Sequence, residues 1–222
     1  MFDKLYQLRF EIFLVIQLAI LFGSLLVPPN LYEFALLPLF YLASILAGIL
    51  IISKKKWMTW FFILLFVLAT FIFGSSMINR QESETGVLMR LTVFFIFNIV
   101  VTWQIVKQVW QATQVSKNVI LGLMSGYISL GFLAFFLFMS IALTHPGAFK
   151  GILLNTDDMV LFSEGMLYYA YITLLTIGYG EIVPVIPIAQ KASMLVGLMG
   201  QFYLVILTAV VVEKYIRHSS SG

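Results

Sequence analysis

Few residues of this chain can do chemistry on their own. There is no cysteine, which removes disulfides, thiolate metal sites and thiol nucleophiles. Only two histidines occur, His145 and His218. They are expected on opposite sides of a membrane, so no metal constellation forms, and His145, before Pro146-Gly147, reads as a turn residue. No nucleophile–base pair stands out, and no enzyme is expected. The chemistry concentrates in one stretch, Tyr168-Tyr169-Ala170-Tyr171-Ile172-Thr173-Leu174-Leu175-Thr176-Ile177-Gly178-Tyr179-Gly180-Glu181. It offers hydroxyl oxygens at Tyr168, Tyr169, Tyr171, Thr173 and Thr176. Gly178 and Gly180 can adopt positive φ cheaply, which lets a backbone aim its carbonyl oxygens in unusual directions. The chemistry on offer is that of neutral oxygen donors.

The elements that position this stretch follow from composition. The chain has 222 residues, 61% of them hydrophobic and 10% charged, with a mean hydropathy of +1.02. An ordinary soluble domain is about 45–50% apolar and about 25% charged. A soluble globule and intrinsic disorder are both excluded. The net charge of +3 is too small to suggest nucleic acid as a partner. A membrane helix needs about 20 apolar residues, and six stretches qualify: Ile12 to Val27, Phe34 to Ile52, Trp57 to Ile78, Leu88 to Val109, Val119 to Leu143 and Ile186 to Val212. Their apolar runs are continuous and too long for barrel strands. A further stretch, Met159 to Leu175, is shorter, carries Glu164 and Gly165, and ends in Gly-Tyr-Gly. It reads as a re-entrant helix sheltered by protein, with Ser163 as an N-cap or an ordinary loop serine.

The expected fold is therefore an all-α membrane protein, with six transmembrane helices plus a re-entrant helix and loop. Six spans put both termini on one side. That side holds Lys4, Arg9, Lys54, Lys55, Lys56, Lys107, Lys117, Lys214 and Arg217, against Arg80, Arg90, Lys150 and Lys191 on the other. The nine-cation side is cytoplasmic by the positive-inside rule. Glu33, Glu82, Glu84, Asp157, Asp158, Glu164 and Glu181 fall outside. Residues 1–110 read as a four-helix peripheral domain, 111–217 as the domain carrying the oxygen-rich stretch, and 218–222 as a tag or cloning remnant. The first span lacks a cleavage-site pattern and reads as a membrane helix, not a secretory signal.

Thr176-Ile177-Gly178-Tyr179-Gly180 resembles the selectivity filter of tetrameric potassium channels, in their six-span prokaryotic form. The resemblance extends over the fifth and sixth spans, about Ser116 to Ile216. It implies a homotetramer in a lipid bilayer. In that family, stacked backbone carbonyls replace the hydration shell of K+, a mechanism known for the family and implied here by the resemblance. It assigns K+ ligation to the carbonyls of Thr176, Ile177, Gly178 and Tyr179, with the Thr176 hydroxyl as the innermost ring and Gly180 closing the motif. Tyr179 is expected to point away from the axis and bond Tyr168 and Tyr169. Glu181 stands where the family has Asp, and Leu175 where it often has Thr. Gly200 falls at the family's inner-helix gating hinge, although small-residue helix packing explains it as well. Leu204, Thr208 and Val211 share its face and would line the pore. No cofactor is implied beyond K+ itself.

A voltage sensor needs several gating charges, each contributing about 2.3 kcal/mol per 100 mV. The fourth span has only Arg90 and Lys107, one at each end, so conventional voltage gating is not expected. Asn98, Thr102 and Gln104 are expected to bond between helices. The expectation is a K+-selective channel of a prokaryotic plasma membrane. The alternatives are a weakly selective cation channel and a non-conducting sensor or scaffold with a channel-like fold.

Overall fold

The structure is a computed structural model that describes residues 2–28, 31–52, 56–79, 84–112, 116–156 and 158–220. Pro29, Lys54, Lys55, residues 80–83 and Asp157 lie outside the described residues, as do the side chains of Lys4, Glu33, Glu84, Arg90, Thr208, Val211, Lys214, Arg217 and His218. The chain is mostly helical and divides into two compact units, Met1–Ile128 and Ser129–Gly222.

The first unit contains α1 (Phe2–Gln7), α2 (Arg9–Phe22), α3 (Leu37–Ile52), α4 (Lys56–Asn79), α5 (Glu84–Gln111) and the first part of α6 (Lys117–Thr144). Among the described residues, Leu91–Gln111 and Lys117–Thr144 are long and apolar enough to cross a membrane; Leu37–Ile52, Lys56–Phe71 and Met159–Leu174 are apolar but shorter. Helix α4 shows why the surroundings are lipid. It buries Phe62, Leu65 and Ala69, yet its exposed face carries Trp57, Trp60, Leu64, Val67 and Phe71. A helix apolar on every side belongs in a core or a membrane, and here the second face looks outward.

Aromatic rings hold the unit together. Phe97 of α5 lies 6.5 Å from Phe13 of α2 and 5.5 Å from Phe62 of α4, all three fully buried. Before α3 the chain makes a π-helical turn, Tyr32–Leu36, whose last amide bond runs from Leu37 N to Tyr32 O. Pro38 explains it. A proline ring inside a helix collides with the carbonyl four residues back, here Phe34, and widening that turn relieves the clash.

The buried polar residues of α5 only partly follow expectation. Gln104 donates to Met58 Sδ on α4 at 3.4 Å. Asn98 instead donates to Phe94 O within its own helix, at 2.9 Å, and the Thr102 hydroxyl has no partner among the described residues. A second cross-helix role falls to Gln108, which hydropathy and spacing do not single out. Its Nε2 donates to Ile51 O of α3 at 2.9 Å, and its Oε1 accepts from Arg9 Nε of α2 at 3.2 Å.

The second unit contains the rest of α6, β1 (Phe149–Gly151), a 3-10 turn (Ile152–Leu154), α7 (Met159–Leu174), β2 (Ile182–Pro184) and α8 (Pro187–Ser220). The two strands pair antiparallel, Phe149 opposite Pro184, Lys150 opposite Val183 and Gly151 opposite Ile182. This ribbon corrects the all-α expectation. Three-residue strands are too short to show alternation in sequence, and β-branched Ile182 and Val183 suit a strand that Pro184 ends.

Candidate functional site

The oxygen-rich stretch begins on α7. This helix starts at Met159, earlier than the loop serine suggested. Asp158 is its N-cap: Oδ1 accepts from Val160 N at 2.8 Å, and the Asp158 amide in turn donates to Thr156 Oγ1 at 3.1 Å. Ser163 is not the cap. It sits inside the first turns and its hydroxyl donates back to Val160 O at 2.8 Å. A short acceptor side chain at either position satisfies the capping rule, and the bond from Val160 N to Asp158 Oδ1 identifies the one in use.

The three tyrosines of α7 anchor it in three directions. Tyr168 donates its hydroxyl to Glu181 Oε1 just past the glycines. Tyr169 donates to Ser193 Oγ of α8 at 2.7 Å, because the Ser193 proton is committed to Ala189 O at 2.9 Å. The Tyr169 ring also packs on Phe138 of α6 at 4.9 Å and Phe149 of β1 at 5.4 Å. Tyr171 meets Phe132 edge-on at 6.0 Å. Neither Tyr168 nor Tyr169 bonds Tyr179 within the chain; the Tyr179 side chain is 74% exposed.

The end of α7 sets the geometry of the glycine-bearing loop beyond it. Leu175 is the C-cap. Thr176 N donates to Thr173 O at 3.0 Å, and Ile177 N to Ile172 O at 2.9 Å, with Gly178 N sharing that same oxygen at 3.3 Å. These 5→2 and 6→1 bonds form a Schellman motif, whose residue after the cap must take a left-handed backbone. That residue is Thr176, with φ of +58°. Glycine is the usual occupant, since a Cβ is crowded there. Gly178 and Gly180 repeat the sign, at +55° and +94°, while Ile177 and Tyr179 between them do not. In a regular strand neighbouring carbonyls face opposite ways. A sign of φ that reverses at every second residue departs from that regular strand pattern.

From Leu175 to Gly180 every residue is exposed in the single chain. Two residues of α8 come up beneath this loop. Gly200 is buried, and a Cβ there would collide with Leu174 O, so its packing on the last turn of α7 requires glycine. Helix α8 runs through Gly200 without a break. The next residue, Gln201, donates from Nε2 to Thr176 Oγ1 at 3.2 Å. Leu204, one turn on, is exposed. Sequence reasoning missed Ser193 and Gln201, because their partners lie 24 and 25 residues away and meet only through the packing of α7 on α8. His145 lies in the turn after α6, as expected, its amide donating to Ile141 O.

Residues 133–217, which include α7, the loop and most of α8, match a family model described as ion channel. No curated protein and no solved structure matches the chain.

Proposed function

We propose that this chain is one subunit of a homotetrameric, K+-selective channel that conducts passively through a central pore in a plasma membrane. The ion-channel match supports the class. The observation that carries the finer reading is the positive φ at Thr176, Gly178 and Gly180, absent from Ile177 and Tyr179 between them, hung on the capped end of a helix. Four such loops around one axis would stack rings of carbonyl oxygens, the arrangement that replaces the water shell of K+. The exposure of the loop in one chain supports assembly: irregular backbone at membrane depth is tolerated only where protein or a water-filled path covers it. In this reading α2, α3, α4, α5, α6 and α8 span the bilayer with both ends cytoplasmic. Helix α7 re-enters as the pore helix, and its negative C-terminal end faces the cavity.

Reconstitution in liposomes with opposed K+ and Na+ gradients tests the reading. The reversal potential is expected close to the K+ equilibrium value. A value midway between the two ions would replace selectivity with general cation conduction, and absence of current would leave a non-conducting sensor or scaffold. Gly178→Ala is expected to abolish selective conduction, because alanine at a φ of +55° costs about 1 kcal/mol or more per subunit.

A further inference from the structure

The bond between Gln201 and Thr176 has a purpose beyond joining two helices. Thr176 occupies the αL position of a Schellman motif, where a β-branched residue is an outlier. Its hydroxyl therefore projects from a strained backbone, and its orientation is not set by the helix ladder. A threonine oxygen has two lone pairs. The Gln201 amide occupies one of them at 3.2 Å, leaving the second. Gly200 makes the reach possible: with no Cβ against Leu174 O, α8 comes close enough for the following side chain to touch the first residue of the loop. Gly200 and Gln201 thus act as a pair, one supplying the approach and the other the bond.

We infer that Gln201 is a positioning residue that fixes the Thr176 hydroxyl, and that through it α8 sets the K+ affinity of the innermost cation site. The inference rests on the K+-channel reading. Gln201 carries no net charge, so it contributes an amide dipole and not an ionic field; it orients an oxygen that would otherwise rotate among its staggered positions. Preorganised oxygens bind a dehydrated cation more tightly than mobile ones, because no ordering remains to be done on binding.

The test is calorimetric titration of purified, assembled protein with K+ and with Na+, which needs no conduction. Gln201→Leu is expected to weaken K+ binding about tenfold, the scale of losing one hydrogen bond. Gln201→Ala, which adds no bulk, is expected to do the same, and assembly of each variant is checked by size-exclusion chromatography. The decisive arm is the Thr176→Val background. With the hydroxyl gone, Gln201→Leu and Gln201→Ala should change K+ affinity less than about twofold, the non-additivity of two groups acting as one. A loss of equal size in both backgrounds, or a loss under about twofold in the native background, overturns the inference. Absence of any K+ preference in the unsubstituted protein would sink the K+-selective reading together with it, whereas K+ preference with additive Gln201 effects sinks the inference alone.

Discussion

Thr176 is the one described non-glycine residue with a positive φ, a conformation that costs an L-residue about 1–2 kcal/mol. Its place is explained only if its side chain does something glycine cannot. Thr176→Gly separates the two contributions. It is expected to raise stability by about 1 kcal/mol by releasing the strain, seen as a higher melting temperature in detergent, while weakening K+ binding through loss of the hydroxyl. Parallel movement of both quantities would count against a functional strain. At this scale the sequence was partly legible. Gly178 and Gly180 announced themselves, because a residue without Cβ is the default wherever φ turns positive. Thr176 did not: β-branched residues avoid that region, and only the three hydrogen bonds at the end of α7 force it there. Gln201 was silent for a related reason, since its partner is defined by how two helices pack and not by local spacing.

Among the elements, α7 is the one whose ends matter most, since its start is set by Asp158 and its finish runs into the loop. Asp158→Ala should cost about 1 kcal/mol, the usual loss for an N-cap, and Ser163→Ala, one turn inside the helix, about 0.5 kcal/mol or less. Thermal melting of the two variants side by side checks the assignment, and the reverse order would return the cap to Ser163. The helices themselves were readable because an uninterrupted apolar run near bilayer length has few other folds open to it. Their local departures were not. The π-helical turn before α3 answers a clash with Pro38 that hydropathy does not register. The β1–β2 ribbon depends on pairing between residues more than thirty positions apart, in strands too short to leave a pattern. The direction of the polar side chains on α5 was equally hidden, since Asn98 could reach its own helix as easily as a neighbour.

Across the whole molecule, charge is scarce and peripheral. Helix α5 carries Arg90 and Lys107 near its ends, and the sixteen residues between them, Leu91 to Val106, contain no charge. Opening is therefore expected to depend weakly on voltage. The shift should stay near or below one elementary charge per subunit, about 2.3 kcal/mol per 100 mV, read from open probability between about −100 and +100 mV in a planar bilayer, voltages chosen on that scale. Steep voltage dependence equivalent to several charges would require a sensor that α5 does not supply. The membrane setting was legible from composition alone, because so few charges leave no other solvent; the division at Ile128 inside a continuous helix was not, since an unbroken apolar run carries no mark of it. One small feature reaches to this scale. The Ile172 oxygen accepts from both Ile177 and Gly178, so a single atom closes α7 and opens the loop. Freeing both amides would undo the closure that holds Thr176 in its left-handed backbone. Loop and helix terminus are consequently expected to loosen together, so that distorting residues 176–178 would also fray the last turn of α7.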